Sequence, residues 1–211
     1  MQKQARTLAT PTPRRKPCRS LPHAWLLTDA RRLRDPLPSV AALPAGSGVI
    51  LRHYEWPRPQ RLRLARAVAA LCRRRGLLLL VAGDAGLALA AGAGGVHLPE
   101  GLAGLAAGAG RRRRGWIVTA AAHDAAAVAR AARAGADAVL VSPVFPTASH
   151  PGAQGLGVVR FAALATAARR QGLAVYALGG ITAATAGRLR HVPKKGTAAI
   201  AGMAAGRWTQ N

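Results

Sequence analysis

Gly179-Gly180, in the run ALGGIT, is the kind of pair that can hold an anion. Without Cβ atoms, backbone N–H groups can close on a phosphate, and a helix that follows points its positive end there. The pair also reads as a plain tight turn. Arg52 could grip a phosphate or pyrophosphate through two N–H groups, or be one more surface arginine in a chain full of them. His123 could serve as a general acid or base near neutral pH, or belong to the entry of a helix. Asp84 and Glu100 offer the hard oxygen ligands that Mg²⁺ takes, although Asp84 also suits the cap of the helix it precedes. The stretch VSPVFPTASHPG, 141–152, adds Thr147, Ser149 and His150. Its prolines stiffen the exit of an apolar run, its hydroxyls can donate and accept, and its histidine can titrate. These are the parts of a pocket for a small phosphorylated molecule. No Cys/His metal cluster, Ser-His-Asp order or P-loop accompanies them.

The elements that must position these residues are legible as an alternation. Short apolar runs stand at 24–28, 48–52, 77–82, 94–98, 115–119, 137–142, 173–178 and 196–201. Each is short, continuous and bounded by Gly or charge, as buried strands are. Between them lie Ala/Leu/Arg stretches with helical spacing. In 60–75, Leu64, Val68 and Leu71 share one face and the arginines fall mostly elsewhere. Segment 124–134 opens on Asp124, a good N-cap, and closes at Gly135, a good C′ residue. Segment 158–171 is a third helix, and 38–43, 84–92 and 102–109 are weaker ones. Eight strands alternating with helices predict a compact single-domain α/β fold, the (β/α)₈ barrel. An open doubly wound sheet is the alternative, but no GxGxxG follows the first strand.

In such a barrel the C-terminal strand ends make the site. They present Thr28 and Asp29, then Arg52, His53 and Tyr54, then Gly83 and Asp84, then His97 and Glu100. Further round come Thr119 and His123, the Ser142 to His150 loop, Gly179, Gly180 and Thr182, and Gly202. His97, inside a strand end, reads as a satisfied core histidine.

The 211 residues suffice for one such barrel, predicted over 23–206 with a short tail at 207–211. Residues 1–22 carry six positive charges, four prolines and no acid, and read as a disordered basic arm. The net charge of +24 raises the question of a nucleic-acid partner. Yet the charge is spread along the chain, only 4% of residues are aromatic, and stacking platforms are scarce. The run Arg111 to Arg114 reads as a solvated loop. Cys18 and Cys72 have neither disulfide nor metal spacing, which fits a reduced, cytoplasmic setting. No apolar run is long enough for a membrane span.

The pieces LLTD (26–29), GVHL (95–98), AGADAVLVSPVFPT (134–147) and ALGGIT (177–182), in this order, resemble the thiamine phosphate synthase/TenI family. These are small (β/α)₈ barrels of thiamine biosynthesis, and the resemblance covers roughly 24–202. It implies one of two activities. The synthase branch joins hydroxymethylpyrimidine pyrophosphate to a thiazole phosphate, with Mg²⁺ helping pyrophosphate to leave. The TenI branch isomerises a thiazole phosphate carboxylate, with a histidine moving the proton. Gly179 and Gly180 match the family's thiazole-phosphate cradle, Thr147 its strand-6 loop threonine, and His123 the tautomerase histidine, a position where many synthases also keep a histidine. Arg52 matches the arginine of a Gln-x-Arg-x-Lys element whose other positions are Ile50 and Tyr54 here. The loop lysine is His150, and the serine before the histidine is Ala121. The Asn-Asp pair that meets Mg²⁺ falls on Ala82-Gly83, with Asp84 one place along. The second metal aspartate falls on Leu102, with Glu100 as a substitute. Each missing electrostatic donor is worth about 3–4 kcal/mol in such chemistry, so the resemblance implies a synthase of weakened or altered activity. A tautomerase using His123, or a non-catalytic thiazole-phosphate-binding barrel, is the alternative.

Overall fold

The computed structural model describes residues 20–101, 115–147, 152 and 154–200. Their apolar runs form eight parallel strands: β1 (Ala24–Leu27), β2 (Gly48–Leu51), β3 (Leu78–Ala82), β4 (Gly95–Leu98), β5 (Ile117–Ala122), β6 (Ala138–Val141), β7 (Ala174–Leu178) and β8 (Gly196–Ile200). They are hydrogen-bonded in chain order around a closed barrel. β1 seals the ring on β8, with Trp25 opposite Ala198 and Leu27 opposite Ile200. The predicted (β/α)₈ fold is the observed one. The helices between are α1 (Leu37–Ala41), α2 (Arg58–Arg75), α3 (Ala85–Ala91), α4 (Ala125–Arg133), α5 (Gly157–Arg170) and the short α6 (Ala183–Ala186), which runs into a 3₁₀ turn at Gly187–Leu189. The expected helix at 102–109 and the Arg111 to Arg114 run lie outside the described residues.

The twofold period of a strand divides the core in two. Trp25, Leu27, Ile50, Leu80, Ile117, Leu140 and Tyr176 form one buried cluster, the filling of the barrel. Their sequence neighbours Leu26, Val49, Leu51, Leu79, Val81, Val118, Val139 and Val175 join the helices in a second, larger one. Each fully buried Leu or Val contributes about 1.5–3 kcal/mol by leaving water. With few aromatics available, two large rings do much of the filling: Trp25 and Tyr176 meet edge to face, centroids 6.0 Å apart. The Tyr176 hydroxyl donates to the carbonyl of Pro22, and Leu21 packs on the same inner cluster.

Two elements depart from expectation in ways that matter for the site. β5 runs to Ala122, three residues past the predicted end at Thr119. Alanine has little strand preference of its own, but here cross-strand partners decide: Ala120 pairs with both Leu98 and Val139, and Ala122 with Val141. His123 therefore stands directly at the strand's exit. In α2 the buried face is Arg61, Ala65, Val68, Ala69 and Cys72, rotated from the predicted Leu64–Val68–Leu71 stripe. The small alanines let the helix lie close to the strands, and the leucines flank the contact half-buried. Burial pushes the Cys72 thiol up to about 12, so it is an inert core residue.

The predicted caps are present. Asp84 and Asp124 each accept the N–H three residues on, both at 2.7 Å, and Gly135 follows α4 at φ 77°. Among the described residues no helix is long and apolar enough to cross a membrane.

Candidate active site

The exits of β5, β6 and β7 are neighbours on the barrel rim. His123, one residue beyond β5, bonds through Nδ1 to the carbonyl oxygen of Ser142 at 2.5 Å. A carbonyl can only accept, so Nδ1 carries the hydrogen and Nε2 is the nitrogen left to gain or lose one. That Nε2 lies 3.4 Å from Glu100 Oε2. The other Glu100 oxygen receives a 2.7 Å bond from Arg130 Nη2. The imidazole side chain is 47% exposed, open to a ligand.

Beyond β6 the chain turns through a cis Ser142-Pro143 bond. Val144 and Phe145 are buried, and their N–H groups donate to Leu178 O (2.9 Å) and Gly179 O (3.1 Å). The β6 loop thus continues the pairing of β6 with β7 past the strand ends. Gly179 and Gly180 stand at φ 91° and 65°. A Cβ on Gly179 would meet Pro143 Cα at 2.9 Å, and one on Gly180 would meet Pro146 O at 2.6 Å. Both glycines are required twice over, by backbone conformation and by this contact. Thr185 Oγ1 donates to Gly180 O at 2.8 Å, and Thr182 caps α6 in a reciprocal capping box with Thr185. α6 is only four residues long, so its dipole adds little to the anion affinity expected of the glycine turn. Thr147 closes the described part of the β6 loop. Ser149 and His150, and Gly202 after β8, lie outside the described residues.

Across the rim the charges answer one another. Arg52 donates from Nη2 to Asp29 Oδ2 at 2.8 Å and from Nε to Thr28 O at 2.7 Å. Partial burial pushes the Asp29 carboxyl up. The N–H groups of Arg32 and Arg31 and the charges of Arg52 and Arg32 outweigh that and hold it below its usual range. Thr28 Oγ1 accepts from Arg52 N (3.0 Å) and meets His53 Nδ1 (2.9 Å). His53 is fully buried at φ 39°, edge-on to the Trp56 ring, and burial pulls its basicity down. Tyr54 is exposed and lies over the Arg61 guanidinium. His97 is the satisfied core histidine the sequence suggested. Its Nδ1 meets Thr119 Oγ1 at 2.9 Å, and burial, followed by the charge of Arg52, pushes it down to about 3.

The carboxylates do not fit a Mg²⁺ site. Asp84 spends one oxygen on its helix cap and holds Arg58 with the other at 3.4 Å. Glu100 is divided between Arg130 and His123. Among the described residues no three metal-ligating side chains gather, whereas Mg²⁺ takes carboxylate oxygens free of competing cations. The structure thus brings together His123, Glu100 and the two glycine-contacted loops, and sets Arg52, Tyr54 and Asp84 on the β2–β3 side. Sequence reasoning missed Arg130 as the partner of Glu100, Asp29 as the partner of Arg52, and Arg61 altogether. Asp29 had a readable signal: it lies two residues past β1 as Arg52 lies two past the register-paired end of β2.

Comparison with known proteins agrees with this architecture. Residues 26–205 match the family model described as thiamine monophosphate synthase. A thiamine-phosphate synthase of Mycolicibacterium smegmatis is 35% identical over 171 residues, covering 74% of each chain. One of Chromobacterium violaceum is 34% identical over 167 residues, covering 78% of this chain and 79% of its own. Among solved structures, a thiamine phosphate pyrophosphorylase from Pyrococcus furiosus superposes with a TM-score of 0.71 over 88% of both chains at 24% identity, a likeness of fold. The chain is a member of the thiamine monophosphate synthase family.

Proposed function

We propose that this barrel binds a phosphorylated thiazole on the β5–β7 side of its rim and moves a proton on it with His123. It thus acts as a thiazole tautomerase within a synthase family. The observation that carries the reading is the His123 arrangement: Nδ1–H fixed on Ser142 O, and Nε2 on the half-exposed side of the ring with Glu100 3.4 Å away. In that geometry Nε2 takes a proton from one carbon of the thiazole phosphate carboxylate and returns it to another carbon of the same molecule, so that only double bonds move. The Glu100 carboxylate steadies the imidazolium between the two events. Arg130, bonded to the other Glu100 oxygen, holds that carboxylate in place. Backbone N–H groups at the Gly179–Gly180 turn hold the phosphate, and Thr147 and Thr182 flank it. Ser149 and His150 belong to the same loop in sequence and are proposed as further contacts.

The synthase reaction is the second reading, favoured by relatives named thiamine-phosphate synthase at 34–35% identity over about three quarters of their length. Arg52, tied to Asp29, and the occupied carboxylates Asp84 and Glu100 weaken it. Two assays on one preparation separate them. Isomerisation of the thiazole phosphate carboxylate without a second substrate supports the tautomerase. Release of pyrophosphate from both synthase substrates, with no isomerisation, would replace it with the synthase.

A further inference from the structure

The acids of the chain are not shared evenly between the two ends of the barrel. Asp29, Asp35, Glu55, Asp84, Glu100 and Asp124 all stand in segments that follow a strand, at the mouth. The ion pairs Arg52–Asp29, Arg58–Asp84 and Arg130–Glu100 lie there with them. The remaining acid, Asp137, stands at the opposite end, just before β6. One of its oxygens accepts from Val118 N at 2.8 Å.

The helices run back against the strands, so their C-termini gather at that opposite end. The last turns of α2, α4 and α5 carry Arg73, Arg74 and Arg75, then Arg133, then Arg169 and Arg170. All six are exposed. Only Arg75 has a side-chain hydrogen bond among the described residues, to Leu43 O at 3.3 Å. Scattered from 73 to 170 in the sequence, these charges are collected by the fold. The segments entering the strands are bonded side by side: Leu78 N to Ser47 O at 3.0 Å, Thr197 N to His23 O at 3.2 Å, Lys195 N to Val175 O at 2.7 Å, and Ala174 N to Asp137 O at 3.0 Å. They form one face, to which the exposed Lys195 adds a further charge. A cation in a last helical turn suits the helix dipole, but each helix end carries only about half a negative charge. Three helix ends therefore offset about 1.5 charges where six stand.

We propose that this N-terminal face of the barrel binds the phosphate backbone of duplex nucleic acid, without regard to sequence. The planar fork of arginine fits phosphate oxygens, and all six helix-end cations are arginines. A single strand would need exposed rings on which to stack its bases, and a membrane surface would need apolar side chains to insert. The exposed large apolar residues among those described are Tyr54, Leu89 and Val159, and none belongs to these helix ends. A duplex keeps its bases stacked and presents phosphates, so charge alone is enough to hold it. The face lies at the other end of the barrel from His123 and does not depend on the reading of that residue.

Fluorescence anisotropy of a labelled, mixed-sequence DNA duplex of about 20 bp, titrated with the full chain at about 50 to 200 mM NaCl, tests this. Wild-type affinity falls steeply with salt. The fourfold variant Arg74→Gln, Arg133→Gln, Arg169→Gln, Arg170→Gln binds about tenfold or more weakly. Its log–log salt slope is shallower by about 3–4, the loss of four phosphate contacts at about 0.9 each. A matched control, Arg31→Gln, Arg34→Gln, Arg63→Gln, Arg160→Gln, removes the same charge from exposed positions at the mouth and flank. It changes the slope by less than about 1. The pair Arg169→Gln, Arg170→Gln alone gives about half the fourfold change, so the result does not hang on the folding of the larger variant. An equal loss in the control overturns the proposal and leaves only the overall charge of +24 at work. So does wild-type affinity and slope in the folded pair variant, or binding through these arginines to vesicles of anionic phospholipid with none to the duplex.

Discussion

The two halves of the barrel mouth are built from different materials. The β5–β7 side is made of backbone: two glycines at positive φ, a proline-stiffened loop pressed onto them, and one imidazole anchored on a carbonyl. The β1–β4 side is made of charged side chains that are largely satisfied by one another, as Asp29 is by Arg52 and Asp84 by its helix cap and Arg58. Backbone donors are fixed by the fold and cost little to reorganise when charge appears. Self-paired side chains must first leave their partners. The first half offers donors held in place by the fold; the second is largely occupied with itself.

The largest expected effect breaks the ready half. His123→Ala should lower isomerisation by about 10²- to 10⁴-fold, the usual worth of a positioned acid or base, with folding unchanged because the side chain is half exposed. Next is Gly180→Ala. Its Cβ would fall 2.6 Å from Pro146 O at φ 65°, so a loss of about 1–3 kcal/mol is expected in chemical denaturation. Thiazole phosphate affinity should fall with it.

Acid should act on the other half through His97. Burial holds it at about 3 against an ordinary 6.5. An unfolded chain therefore binds a proton at mild acidity that the folded one refuses. Stability is intact above 6.5 and falls as pH drops toward 3, by about 2 kcal/mol between pH 7 and pH 5. Replacing His97 with Gln should flatten that part of the profile. The smallest effect is Asp29→Asn. The depressed carboxyl stabilises the fold above the unfolded value near 3.8, and this is lost as pH falls through the lower folded value. The half-open ion pair is worth under about 1 kcal/mol at neutral pH. The mutant and wild-type denaturation curves should converge in acid.

The barrel was legible because its strands are short continuous apolar runs, and a period of such runs survives small errors at their ends. β5 was misjudged at one end because Ala120–Ala122 carry no strand signal until Leu98, Leu140 and Val141 are beside them. The glycine turn, the proline loop and the place of His123 on the rim were readable, since their sequence signals are local. Arg61 was not. In 60–75 it is one arginine among many, and only the rotation of α2, set by Ala65, Ala69 and Cys72 packing inward, shows which one is buried. A count back from Cys72 in steps of three and four reaches Arg61 and could have flagged it. The pairing of Asp29 with Arg52 spans 23 residues and depended on strand register.

Imidazole nitrogen NMR on ¹⁵N-histidine-labelled protein tests the central claim most directly. The account predicts that His123, assigned with His123→Ala, carries its hydrogen on Nδ1 in the free protein. Thiazole phosphate should then shift the Nε2 resonance selectively. A His123 protonated on Nε2, or one whose resonances ignore the ligand at saturation, would contradict it.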